Sequence, residues 1–123
     1  MREQKISARA EYKEFARPDD VRTFEKGKLK LLNIGGGTVG LMTLEPGWQW
    51  SKHVKPIAKT ELCLAPHFQY VVSGRIRVKM ADGEEFELGP GSVSVLPQGH
   101  DAWVVGNEPV IAVDWAGAAN YAK

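Results

Sequence analysis

The chain of 123 residues holds only one cysteine and three histidines, and its charge is nearly balanced, with 16 basic residues against 15 acidic ones. One cysteine cannot close an internal disulfide, so nothing calls for an oxidising compartment. Without a basic excess there is no electrostatic footprint for nucleic acid, and without an acidic excess no solvating tail. Apolar runs stop at four to six residues, far below the roughly 20 needed to span a membrane. The opening stretch MREQKISARAEYKEF is charged throughout and lacks the apolar centre of a secretory signal. A cytoplasmic setting is therefore expected. No Ser-His-Asp order and no nucleotide fingerprint occur, and Gly35-Gly36-Gly37 lies between two strand patterns, so it reads as a turn rather than a phosphate cradle. Helical periodicity is almost absent, and there is no internal repeat or low-complexity tract.

What the chain has in quantity is punctuation. Thirteen glycines and seven prolines divide a length suited to one domain and one core. Residues 1 to 27 are read as a polar arm, as a short helix, a crossing to a partner or a disordered lead. A barrel is expected over residues 28 to 118 and a tail over 119 to 123. Leu29 to Ile34 and Thr38 to Leu44 form a hairpin pattern. Lys55 to Pro66 has two prolines and little period, which suggests a loop with a short extended piece near Leu62. Phe68, Tyr70 and Val72 alternate with His67, Gln69 and Val71, a strand with two distinct faces. Ile76, Val78 and Met80 alternate with Arg75, Arg77 and Lys79, whose solvated row needs no special function. Asp82-Gly83 is a hairpin turn, and Gly89-Pro90-Gly91 and Pro97-Gln98-Gly99 are further turns. Strands around Val93–Val95, Trp103–Val105 and Val110–Trp115 complete an all-β pattern of a sandwich or a closed barrel.

The histidines and the cysteine fall in one stretch, His53, Cys63, His67 and His100, at fixed offsets from glycines. Imidazole and thiolate are ligands for borderline and soft transition metals. The spacing resembles the paired motifs of the cupin superfamily, G-x5-H-x-H-x3,4-E-x6-G and G-x5-P-x-G-x2-H-x3-N. Gly47-x5-His53 matches the opening of the first motif, His67-x6-Gly74 its close, and Gly91-x5-Pro97-x-Gly99 the opening of the second. The likeness spans roughly residues 38 to 116 and is similar to small single-domain bacterial cupin-2 (conserved barrel) proteins without an assigned reaction. It implies a jelly-roll (double-stranded β-helix) barrel with a short N-terminal arm, a metal inside near one mouth, and a homodimer, with residues 1 to 34 the first place to look for the contact.

The departures shape the expected site. Lys55 stands where the first motif's second histidine belongs, and His67 stands at its glutamate. Ala102 and Gly106 replace the histidine and asparagine of the second motif, while His100 lies two residues earlier on the same strand face. The resulting expectation is a metal held by His53, Cys63, His67 and His100, with Zn(II) the best match and Fe, Ni, Co or Mn as alternatives. Four ligands would close the site for a structural or sensory role. Three ligands plus water would leave a Lewis acid. Trp50, Gln69, Tyr70 and Trp103 are the expected pocket residues for a small-molecule ligand, with core packing the alternative for the aromatics. Glu61 and Asp101 are read as solvated loop charges, or else as hydrogen-bond acceptors for a ligating imidazole. Function is divided between oxygenase, isomerase or lyase chemistry, ligand sensing around a closed metal site, and a barrel without metal.

Overall fold

The computed structural model describes residues 9–116. Nine strands follow one another along the chain: β1 (Asp20–Phe24), β2 (Gly27–Ile34), β3 (Gly37–Leu44), β4 (His67–Ser73), β5 (Arg75–Met80), β6 (Glu85–Leu88), β7 (Val93–Leu96), β8 (His100–Val105) and β9 (Val110–Asp114). Two helical turns, α1 (Trp50–His53) and α2 (Lys55–Ala58), separate β3 from β4. The strands form a six-stranded sheet in the order β1-β2-β3-β9-β4-β7 and a three-stranded sheet in the order β6-β5-β8, and every pairing is antiparallel.

Strand parity decides what enters the core. Leu29 and Leu31 of β2, Met42 and Leu44 of β3, Val71 of β4 and Val78 of β5 are all buried in one cluster between the sheets. Each alternates with a residue on the outer face, as a pleated strand requires. The hairpin between β2 and β3 turns through Gly35 and Gly36, at φ +60° and +78°. This conformation is open to glycine and costly for other residues. Arg77 and Arg75 extend outward and meet Glu85 and Glu87 across β5 and β6, at 2.6 and 3.4 Å.

Three elements were not expected. β1 lies inside the stretch read as an arm, because Val21 and Phe24 fall on different parities and leave no alternation to read. It is an edge strand held by its ladder to β2. Before β1, the Asp19 carboxylate accepts the Asn33 N–H near the end of the same chain's β2 at 2.8 Å, and Glu11 accepts the Gly35 N–H in the turn that follows at 3.1 Å. Residues 1–8 of the expected arm and the tail over 119–123 lie outside the described residues. The helical turns α1 and α2 are too short to show a period. They hold because Trp50 and Val54, four residues apart, both bury in the core. Among the described residues, no helix is long and apolar enough to cross a membrane.

Gly74, between β4 and β5, has φ +79°, and a Cβ there would lie 2.3 Å from the Pro109 carbonyl oxygen. Gly83 has φ +94° with open space around it. Gly83→Ala should therefore cost only the left-handed strain, about 1–2 kcal/mol. Gly74→Ala adds a backbone clash and should cost roughly 2–4 kcal/mol. Urea unfolding midpoints of the two variants measure the difference, and equal midpoints would contradict the close approach.

Candidate metal centre

Three of the four expected ligands come together. Cys63, His67 and His100 are buried, and one ligand atom from each lies within 4.8 Å of the others. Each arrives from a different local structure. His67 opens β4 on the inward row that continues through Gln69 and Val71. His100 opens β8, two residues before buried Ala102, and starts that strand earlier than its apolar pattern suggests. Cys63 belongs to no named strand, but the chain around it pairs with His100. The Cys63 N–H donates to the His100 carbonyl at 2.8 Å, and the Gly99 N–H donates to the Cys63 carbonyl at 2.8 Å.

The expectation for His53 is corrected. Gly47-x5-His53 does not continue as a strand, because the chain winds into α1 and turns Trp50 toward the core. His53 ends that helical turn with Nδ1 accepting the Gln49 N–H at 3.0 Å and Nε2 3.3 Å from the Glu25 carboxylate. With both ring nitrogens engaged there, it fastens α1 to the turn between β1 and β2. Asp101 also differs from the solvated reading. It accepts from the Ser51 N–H at 3.0 Å and the Gln49 side-chain amide at 3.1 Å, so it satisfies donors at the start of α1. Glu61 is a solvated charge, paired with Lys55 at 2.9 Å.

One further residue completes the centre, and its identity was not anticipated. Asp114, the last residue of β9, is fully buried. Its Oδ2 lies 2.5 Å from His67 Nδ1, while Oδ1 accepts the N–H groups of Phe68 at 3.2 Å and Ala116 at 3.0 Å. The available signal was parity, since Asp114 shares the inward row of Val110 and Ala112, where an acid is out of place without a partner.

These hydrogen bonds set the ring orientations. A carboxylate and a carbonyl can only accept, so His67 Nδ1 donates to Asp114 and His100 Nδ1 donates to the Pro97 carbonyl at 3.0 Å. Coordination then falls to both Nε2 atoms, and His67 Nε2 lies 3.9 Å from Cys63 Sγ. Burial pushes the Cys63 thiol up, but hydrogen bonding and attraction from His100 and His67 outweigh it and bring the thiol from 9.0 to about 6. Burial likewise pushes the His67 imidazolium down, and the Asp114 and Cys63 bonds reverse this, raising it from 6.5 to about 9. Near neutral pH the metal-free pair is a thiolate facing an imidazolium. A bound cation would replace the proton on Nε2.

The cavity beside the cluster is about 30 Å³, room for one or two waters and far below the roughly 300–1,000 Å³ of ordinary ligand sites. Trp50 and Gln69 line it. Tyr70 and Trp103 do not. Each follows an inward residue on its strand and therefore occupies the outer row, with Tyr70 exposed and Trp103 partly so. Gln69 is 6% exposed, and its amide has no hydrogen bond among the described residues. The Trp48 indole N–H, also in the cavity wall residue set, is buried without an acceptor among them. Among the described residues, no lysine or arginine lines the cavity.

A family model described as EutQ-like cupin domain matches residues 51–115. Solved structures resemble the chain in fold. An oxalate decarboxylase from Lactobacillus farciminis, in complex with formate, aligns with TM-score 0.60 and 20% identity over 80% of this chain and 30% of its own. The chain thus spans under a third of that enzyme. A protein of unknown function from Acidithiobacillus ferrooxidans aligns with TM-score 0.57 and 18% identity over 89% of this chain and 92% of its own. A sugar phosphate isomerase of the cupin superfamily from Silicibacter pomeroyi aligns with TM-score 0.51 and 21% identity over 73% and 58%. No curated protein sequence matches the chain. The expected all-β jelly-roll barrel is the observed fold.

In metal-free protein, the thiolate absorbance of Cys63 should titrate near pH 6 rather than 9, and His67→Phe should move it upward. The same linkage predicts a sign for stability. His67 is raised above its unfolded value, with Asp114 its stronger partner, so its imidazolium contribution is full below pH 6.5 and is lost as pH rises through about 9. The stability that Asp114→Asn removes should therefore shrink between pH 6 and 10, and a constant or growing difference in unfolding free energy would exclude the His67–Asp114 pair as its source.

Proposed function

The chain belongs to the EutQ-like cupin domain family, and from that premise we propose that it binds one divalent transition metal through Cys63, His67 and His100 and handles a small molecule at the remaining coordination position. The observation that carries this reading is the orientation of the two imidazoles. Asp114 and the Pro97 carbonyl engage both Nδ1 atoms, so both Nε2 atoms serve the cluster that holds the Cys63 sulfur. A hydrogen bond to the far nitrogen is the usual support for a ligating histidine. Two imidazole nitrogens and a thiolate favour Zn(II), with Fe, Ni, Co or Mn as alternatives. Bound there, the metal would supply Lewis-acid polarisation or activation of a coordinated oxygen.

The protein's own residues limit the ligand. The small cavity admits one reacting end of a molecule beside the metal, and Gln69 and Trp48 supply hydrogen-bonding groups that no other described residue engages. Oxalate and sugar phosphates, named for two of the structural relatives, would find no lysine or arginine among the described lining residues. A compact organic molecule with an acceptor group fits better, in isomerase, lyase or oxygenase chemistry. A site that only stabilises the barrel is the second reading, favoured by the same small cavity. A paired assembly of two chains in the cytoplasm accompanies both.

Untagged protein stripped of metal and titrated with Zn(II) or Co(II) should take up about one equivalent per chain. Cys63→Ser should remove the thiolate-to-cobalt charge-transfer band, and His53→Ala should leave uptake unchanged. Uptake below about a tenth of an equivalent would exclude the metal reading. Asp114→Asn should weaken affinity by about 10- to 100-fold. Gln69→Leu should keep the metal and lose perturbation of the cobalt spectrum by small probes such as azide and formate. If no probe perturbs the wild-type spectrum either, the stabilising role is preferred.

A further inference from the structure

The buried cluster also holds a relay of three side chains. Cys63 Sγ lies 3.9 Å from His67 Nε2, and His67 Nδ1 lies 2.5 Å from the buried Asp114 carboxylate. With Nδ1 donating to Asp114, Nε2 is the nitrogen left to take the thiol proton. The His100 ring stands 5.3 Å from the His67 ring, centre to centre, and its Nδ1 is likewise engaged, by the Pro97 carbonyl. A sulfur, a base within its reach and a third group that orients the base are the marks of an activated nucleophile. Cys63 lies between half-buried Leu62 and exposed Leu64, at the rim of the barrel rather than in its depth.

We propose that Cys63 is an oxidation site for hydrogen peroxide, with His67 carrying the proton of the reaction and Asp114 orienting His67. The cavity selects the reactant. At about 30 Å³ it has room for one or two waters, so a molecule of two oxygen atoms fits, and an acyl chain or an alkyl hydroperoxide does not. No lysine or arginine is among the described residues lining it, which favours a neutral oxidant over an anionic one. Two polar side chains in its wall point independently to a polar guest. Trp48 is 2% exposed, and its indole N–H is buried with no acceptor among the described residues. Gln69, 6% exposed, lines the same cavity with an amide that none of them engages. A buried donor left unpaired is costly, and a molecule whose two oxygens both accept and donate satisfies it.

The step balances with no further reactant. The Cys63 sulfur attacks the nearer peroxide oxygen, the S–O bond forms and the O–O bond breaks. The proton that the thiol gives up passes by way of His67 Nε2 to the departing oxygen, which leaves as water. The sulfur is oxidised to the sulfenic acid and the peroxide is reduced. Cys63 is the single cysteine of the chain, so the product has no second thiol of its own chain to condense with and is returned to the thiol by an outside one. Oxygen on the sulfur would also withdraw Cys63 from the donors of the candidate metal site. The step belongs to the metal-free centre and does not rest on the metal reading.

The full chain, stripped of metal and reduced, should react with hydrogen peroxide about 100-fold faster than free cysteine at the same pH, the lower end of what positioned proton transfer contributes. Loss of free thiol and capture of the sulfenic acid by dimedone give the rate. The dimedone adduct and recovery of the thiol with dithiothreitol separate it from oxidation of Met42 in the same wall. tert-Butyl hydroperoxide, too large for the cavity, should lose the whole acceleration. This comparison needs no variant. His67→Gln should bring the hydrogen peroxide rate to about that of free cysteine. Asp114→Asn acts through His67, so it should lower the rate in the wild-type background and change nothing further in His67→Gln. A wild-type rate no greater than that of free cysteine, equal acceleration with both peroxides, or an unchanged rate in a folded His67→Gln would overturn the proposal. Metal uptake is read separately, so failure of either reading leaves the other standing.

Discussion

A carboxylate with no exposed surface, Asp114, organises the interior of this barrel. An ionised acid among valines and leucines is tolerated only when its oxygens are engaged. Here they are, by the His67 ring and by the N–H groups of Phe68 and Ala116. That one set of contacts joins the end of β9 to the start of β4 and fixes the tautomer of His67. It thereby decides which nitrogen faces Cys63. Removing Asp114 would take the Nδ1 hydrogen bond of His67 out of the core, so stability and the geometry of the candidate metal site rest on the same hydrogen bond.

The two faces of β4 divide two kinds of work between alternate residues. His67, Gln69 and Val71 turn inward to the candidate metal site and core, while Phe68, Tyr70 and Val72 turn outward to an apolar surface. A shift of one residue in register would exchange these rows. The register is held on both sides, by β7 and by β9, with an irregularity between Val71 and Ser73. The backbone of Phe68 and Trp115, which carries the outer apolar surface, also meets Asp114, so the candidate metal site and that surface share a strand without sharing a side chain.

Most of the strand arrangement was legible because alternation and glycine turns are local signals. The rows of β4 and β5, the hairpin at Gly35-Gly36 and the turn at Asp82-Gly83 all follow from neighbours in the chain. β1 was not legible because its two apolar residues differ in parity, and α1 and α2 were not because one turn of helix has no period. At the site, Cys63, His67 and His100 were readable from donor chemistry and spacing. His53 was misplaced because the motif spacing implied a strand where Trp50 and Val54 bury as a helical turn. Tyr70 was placed in the pocket although it is one residue out of step with Gln69. Asp114 was overlooked because its partner lies 47 positions away.

By itself, the sequence determined the all-β barrel, the inward parity of His67 and Gln69, and the donor types available for a metal, since these depend on residue identity and on spacing within a few positions. Only the tertiary structure decided that Asp114 orients His67, that His53 is taken by Gln49 and Glu25, that the cavity is small with no cation among the described residues lining it, and that the exposed apolar rows of β4 and β7 adjoin. Most of these depend on contacts between segments far apart in the chain. Such contacts are set by how the sheets pair and close, which no local pattern specifies.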